Sequence, residues 1–308
     1  MNLRTDLAIE ASKTLQSNNK EIYIVDNVKV IETIVNEELS KTINKKEGNY
    51  YLMDLSDYNL NTIEDFNYIE NALIKLIKKI LKEEKIKVKD KGMIVGLGNI
   101  DVTPDSLGPL VANNVIVTRH LYELHQKEQI KGLRSICSIS PGVMGVTGIE
   151  TSDIITSIIK QIDIDFIIVI DALAASNINR INKTIQITNT GISPGSGVGN
   201  KRKEISKETL NIPVIAIGVP TVVDAVTIAY NTLDYVINNL EKNLKKDKKE
   251  IGGTFGILNE QDQKNVINYV LEERGINMMV TPKEVDQDIE VLSKIICHSL
   301  DKALHKLP

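Results

Sequence analysis

The chain has 308 residues, 42% hydrophobic and 25% charged, with 37 Lys+Arg against 41 Asp+Glu and a formal net charge of -4. That length admits one large α/β domain or two smaller ones, and the near balance of charge leaves no basic field of the kind a nucleic-acid partner needs. The two cysteines, Cys137 and Cys297, stand far apart and in no C-x-x-C spacing, which excludes a disulfide framework and a cysteine zinc site.

The opening MNLRTDLAIEASKT carries charge at Arg4, Asp6 and Glu10 where a signal peptide needs an apolar core. From Phe66 to Lys85, Phe66, Ile69, Leu73, Leu76, Ile77, Ile80 and Leu81 fall on one stripe with lysines opposite, which predicts an amphipathic helix. Buried strands are predicted at MIVGL after Gly92, at FIIVI from Phe166 to Ile170 and at VIAIG from Val214 to Gly218. Between them PLVANNVIVTRHLYELHQK and SDIITSIIKQI read as helices, so the fold class is α/β, a mostly parallel sheet with helices on both faces. The lysine-rich Glu241 to Glu250 reads as a solvated helix end and loop. A last helix is predicted from TPKEVDQDIE, with Thr281 as N-cap, Pro282 in the first turn and Glu284 closing a capping box. The longest uncharged stretch, LNIPVIAIGVPTVV, is interrupted by proline and is shorter than the roughly 18 residues of a membrane span.

Ligands and reactive groups of parallel α/β sheets collect beyond the carboxyl ends of the strands. Three segments meet that condition: GMIVGLGNIDVTPDSLGP with Asp105 near a helix start, FIIVIDALAAS with Asp171 directly after its strand, and VIAIGVPTVVDA with Thr221 and Asp224. Two carboxylates at neighbouring strand ends can share one proton, so that one acts as acid and the other as base on a water molecule. The competing reading of each is a turn or N-cap aspartate, and Asp224, inside the pattern VVDAVTIAY, is assigned to it.

Other motifs fail on chemistry. GISPG has the G-x-S-x-G form of a nucleophile elbow, but Pro194 lacks the N–H that an oxyanion would need. PGSGVGN lacks the G-K-[ST] ending of a phosphate loop, and GLGNID has aspartate in place of the third glycine of a dinucleotide fingerprint. His120, His125, His298 and His305 are placed on polar helix faces without H-E-x-x-H, so neither a metal site nor a cofactor is expected. The glycine-rich segments Pro141 to Gly148 and Pro194 to Asn200 are expected beside the aspartates as backbone walls for an extended peptide, with Gly145, Thr147, Gly197 and Gly199 as substrate-binding candidates.

Taken together, RTDLAIEA, GLGNIDVTPDSLGP, SPGVMGVTGIET, DALAAS, TIQITNTGISPGSGVGNKR, GVPTVVDA and TPKEVD resemble the germination proteases of spore-forming bacteria over nearly the whole chain. The resemblance implies a single α/β peptidase domain over residues 1–308, similar to the hydrogenase maturation endopeptidases. It also implies a cytoplasmic homotetramer of the developing spore and spore core, made as a zymogen, whose substrates are the small acid-soluble spore proteins. It places the essential aspartate pair on Asp105 and Asp171, and one departure is Asn189, where an aspartate is usual. Family substrates are cut after an acidic residue followed by an apolar residue and alanine. Thr5-Asp6-Leu7-Ala8 has that form, so residues 1–6 are read as a short leader removed by cleavage between Asp6 and Leu7. A metal-assisted peptidase using the same carboxylates, and a non-catalytic binder of spore proteins, are the alternatives.

Overall fold

β-Branched and aromatic residues in short runs prefer a pleated surface packed on both sides, and here nine such runs join one sheet. The computed structural model describes residues 5–11, 19–124, 131–195, 202–244, 248–275 and 278–306. The strands are β1 (Lys20–Val25), β2 (Val28–Val35), β3 (Gly48–Asp54), β4 (Gly92–Gly96), β5 (Ile136–Ile139), β6 (Phe166–Ala175), β7 (Thr184–Thr188), β8 (Val214–Asp224) and β9 (Met279–Val280). Their order is β1-β2-β3-β7-β8-β6-β4-β5, with β9 paired to β8. The strands β8, β6, β4 and β5 run parallel, as the strand-helix alternation predicts, while β1, β2, β3 and β7 extend the sheet antiparallel.

Alternation along β6 assigns the two faces. Phe166, Ile168 and Ile170 join the larger core beneath the helices Ile63–Glu83, Leu107–Asn114 and Val285–Leu304. Ile167 and Val169 point the other way, toward Ile155 of the helix Thr151–Gln161. Leu173 and Ala175 continue that second face, where they meet Leu7 and Ile9 from the start of the chain. Complete burial of a leucine or isoleucine stabilises by about 1.5–3 kcal/mol, so both faces are firmly covered.

Several expectations are corrected. Both central strands run past their apolar runs: β6 continues to Ala175 and β8 to Asp224, because each is the other's partner beyond Ile170 and Gly218. Asp171 and Thr221 are therefore inside strands rather than after them, and Asp224 ends β8 instead of lying in the helix, which starts at Ala225. The segment from Pro109 is two helices, Leu107–Asn114 and Arg119–Glu123. The β-branched Val115 to Thr118 between them leave helical geometry, with the Ile116 N–H donated to Asp301 and the Thr118 hydroxyl given to Arg134 O. The last helix begins at Val285, because the Thr281 hydroxyl donates to the Thr221 carbonyl at 2.8 Å instead of capping.

His305 is also corrected. It follows the last helix and is buried, its Nδ1 accepting the Arg134 N–H at 3.1 Å, and burial lowers its pKa. His120 and His298 are exposed, whereas His125 lies outside the described residues. The helix Ala225–Leu244 ends within the lysine-rich segment, and a new one starts at Lys248. No helix among the described residues is long and apolar enough to cross a membrane.

Candidate active site

The site forms where β4 stops and its neighbour β6 does not. Gly96 is the last residue of β4 paired with β6, opposite Ile170, and the Leu97 N–H still donates to the Ile170 carbonyl at 2.8 Å. Gly98 then turns the chain away at φ 113, a conformation that side chains rarely adopt. A Cβ at that position would lie 2.0 Å from the Asp105 carbonyl oxygen and 3.0 Å from Asp105 Oδ1, so only glycine lets the returning chain lie against the turn.

That returning chain carries the first carboxylate. Val102 leads into the short turn Thr103–Asp105, and the Asn99 N–H donates to Asp105 Oδ2 at 2.9 Å. The Thr221 hydroxyl donates to the Pro104 carbonyl at 2.6 Å, which ties the turn to β8. Gly108, in the first turn of the following helix, lies so close that a Cβ would come within 2.6 Å of the Ile170 carbonyl. The Asp105 turn is thereby pinned over the end of β4, beside the next residue of β6, which is Asp171.

Asp171 is 7% exposed and accepts the Ala172 N–H at 3.0 Å. Burial, then the charges of Asp105 and Asp6, push its pKa well above the usual carboxylate range, against the Ala172 N–H. Asp105 is pushed up to about 6 by burial, opposed by the Asn99 N–H. Both carboxyl groups are thus pushed toward the protonated form, and the charge of Asp105 adds to the effect of burial at Asp171. The two aspartates that strand position singled out are close enough for the charge of one to raise the pKa of the other.

The first described residues lie against the same face. The Asp6 N–H donates to the Ala174 carbonyl at 2.9 Å, and Asp6 Oδ2 accepts the Ala174 N–H at 2.9 Å. Lys45 Nζ donates to the Thr5 carbonyl at 2.9 Å. Leu7 is fully buried in its apolar cluster. Three residues on, the buried Glu10 carboxylate accepts from the Ser176 N–H and hydroxyl and from the Thr5 hydroxyl, and pairs with Arg180. Thr5 to Ala11 is therefore a docked segment rather than a loose end.

Gln186 of β7 completes this docking, and sequence reading missed it. Its Nε2 donates to the Asp6 carbonyl at 3.4 Å and its Oε1 accepts the Ala8 N–H at 2.9 Å. The signal was available: a glutamine at the centre of the β-branched run TIQIT is a polar group committed to burial, and such groups need partners.

Asp224 Oδ1 accepts the Val226 N–H at 2.9 Å, in keeping with a helix-start aspartate. Gly145 and Thr147 lie in the exposed one-turn helix Met144–Thr147 of a connecting loop, where the Thr147 hydroxyl bonds locally to Val143 and Ile149. That loop meets the segment after Gly199 through Met144 with Arg202 and Glu150 with Lys203, while Gly197 and Gly199 themselves lie outside the described residues. Asn189, where an aspartate was the family expectation, is structural: Oδ1 accepts the Asn49 N–H and Nδ2 donates to Glu84. Among the described residues, no group of three or more His, Cys, Asp and Glu gathers as a metal-ligand set.

Comparison with known proteins agrees with the likeness read from the sequence. The family model described as germination protease matches residues 4–252 and 244–307. Germination proteases of Bacillus cereus (strain G9842) and Bacillus mycoides (strain KBAB4) are each 42% identical to this chain, over 98% of it and 94% of theirs. Among solved structures, a [NiFe] hydrogenase maturation protease, HycI, from Thermococcus kodakarensis KOD1 aligns with a TM-score of 0.31 and 17% identity, over 47% of this chain and 80% of that one. The chain belongs to the germination protease family, a family of peptidases.

Proposed function

We propose that this protein is an endopeptidase that starts the degradation of small acid-soluble spore proteins during germination, using Asp105 and Asp171 to activate water. The observation that carries the reading is the pair itself: two carboxyl groups beside the point where β4 stops, both pushed up by burial, with the charge of Asp105 acting on Asp171. Ionised Asp105 takes a proton from water as the water oxygen attacks the scissile carbonyl carbon, and the carbonyl π electrons move onto its oxygen. When that oxyanion collapses, the C–N bond breaks and its electron pair goes to the leaving nitrogen, which receives the proton of Asp171. Transfer of the proton from Asp105 to Asp171 restores the starting state.

The same chemistry applied to the docked segment cuts between Asp6 and Leu7 and releases residues 1–6. Asp105→Asn and Asp171→Asn are expected to fold normally and to leave both small acid-soluble spore proteins and the chain's own N-terminus uncut. Near-normal cleavage by either variant sinks the assignment. Activity is expected to survive dialysis against a strong chelator; loss that one added metal reverses supports a metal-assisted peptidase instead. A binder without activity leaves the substrate intact while holding it. The tetramer implied by the family likeness is checked by light scattering.

A further inference from the structure

A peptide carbonyl under attack needs a donor for the charge that gathers on its oxygen, and the aspartate pair offers none, since one member is ionised and the other gives its proton to the nitrogen. The sheet register points to the missing donor. Asp171 is opposite Gly218 across β6 and β8, and Gly218 is opposite Gln186 across β8 and β7. Residues directly opposite share a face. Asp171 and Gln186 therefore stand in one row on the face that the N-terminal segment covers, with only a glycine between them.

The Asp6–Leu7 peptide lies over this row. The Gln186 Oε1 is taken by the Ala8 N–H, which fixes the amide so that its Nε2 hydrogens face the Asp6 carbonyl. One side chain thus holds the peptide on both sides of the bond: it accepts from the second residue after it and donates to the carbonyl before it. The donor distance, 3.4 Å, is long for a ground-state hydrogen bond. A contact that is slack to a neutral carbonyl and shortens as the oxygen gains charge stabilises the transition state more than the ground state, which is what raises a rate.

We infer that Gln186 is the oxyanion-stabilising catalytic residue of this peptidase, its Nε2–H receiving the charge on the carbonyl oxygen of the residue before the scissile bond. The inference rests on the reading of Asp6–Leu7 as a bond the chain cuts. It extends the reaction machinery to β7, in the antiparallel half of the sheet, which the aspartate pair does not touch.

The test follows the first-order appearance of an N-terminal Leu7 in the purified full chain, for the wild type, Gln186→Glu and Gln186→Leu. Gln186→Leu removes the donor without adding charge, and Gln186→Glu keeps size and the acceptor for the Ala8 N–H while exchanging the amide donor for a carboxylate. Hydrogen exchange at Ala174, whose amide is held by Asp6, reports whether the segment stays docked. Both variants are expected to slow the cut by roughly 100- to 1,000-fold, with Ala174 protection kept in Gln186→Glu. A rate within threefold of wild type overturns the inference, and so does a slow rate accompanied by lost Ala174 protection in both variants, which would mark Gln186 as structural only. A wild-type chain that never exposes Leu7 removes the underlying reading of that bond, and the inference with it.

Discussion

Asp105 illustrates how a single carboxyl group trades stability for chemistry. Its pKa lies near 6 in the folded protein because burial disfavours the charged form, against 3.8 ordinarily. That gap corresponds to about 3 kcal/mol. The sign follows from linkage: between those values the folded state binds more protons than the unfolded one, so stability falls as pH rises from 3.8 to about 6 and stays low above it. Asp105→Asn has no charge to bury and can still accept the Asn99 N–H. It is therefore expected to be more stable than wild type at pH 8, by up to about 3 kcal/mol, with the gap closing near pH 4, while cleavage is lost. Denaturant titrations at the two pH values check this; a variant less stable at pH 8 than at pH 4, relative to wild type, contradicts the assignment of the shift to Asp105. Gly145 behaves oppositely. A Cβ there meets nothing within 4 Å, so Gly145→Val is expected to leave the thermal midpoint unchanged, and any fall in turnover reports substrate contact.

At the level of elements, the turn that carries Asp105 is held by strand β8 through the Thr221 hydroxyl at 2.6 Å from the Pro104 carbonyl. Thr221→Val keeps the shape and removes that bond, leaving the half-buried Pro104 carbonyl without its partner. The expected cost is about 1–3 kcal/mol together with a lower kcat at little-changed KM, because the turn positions a base and binds no substrate. Urea unfolding and steady-state kinetics on a small acid-soluble spore protein separate the two effects, and a change in KM alone argues for substrate contact instead. Strand existence was legible from the sequence wherever apolar runs were long, as in β4, β6 and β8. Their ends were not, since Asp171 and Thr221 look like punctuation until β6 and β8 are seen to pair past them. The antiparallel strands β1 and β2 escaped because their alternation is mixed with charge at Lys20, Glu21, Lys29 and Glu32. Yet Asp26 and Asn27, both at positive φ between β1 and β2, form the kind of two-residue hairpin turn that sequence can signal. Both aspartates proposed for the site could be singled out in the sequence because strand position and family likeness agreed on them. Gln186 was not, because its role depends on a register between β7 and β8 that no local pattern carries.

Across the whole molecule, the two halves of the sheet meet in the first residues of the chain. Asp6 is held by Ala174 of the parallel half, its carbonyl faces Gln186 of the antiparallel half, and Leu7 packs with Ile31 and Leu52 of β2 and β3 and with Leu173 of β6. A cut between Asp6 and Leu7 would leave Leu7 anchored in this cluster and vacate the strip at Ala174 together with the Thr5 contacts to Lys45 and Glu10. On the proposed reading the segment is a substrate in place, held there by its apolar anchor. Leu7→Ala removes that anchor and costs about 2–5 kcal/mol if the site is kept as it is. Because residues 5–11 carry the rest of the docking, the strain is relieved most cheaply by undocking them rather than by unfolding the sheet. Cutting of the chain's own Asp6–Leu7 bond is therefore expected to slow at least tenfold, while cleavage of an added small acid-soluble spore protein rises, since the row from Asp171 to Gln186 is uncovered. Both rates are read from one incubation by N-terminal sequencing and by loss of the added substrate. A variant that loses both activities together, with its thermal midpoint unchanged, shows instead that Leu7 is needed to shape the site itself, and the segment is then a wall of the active site and not its occupant.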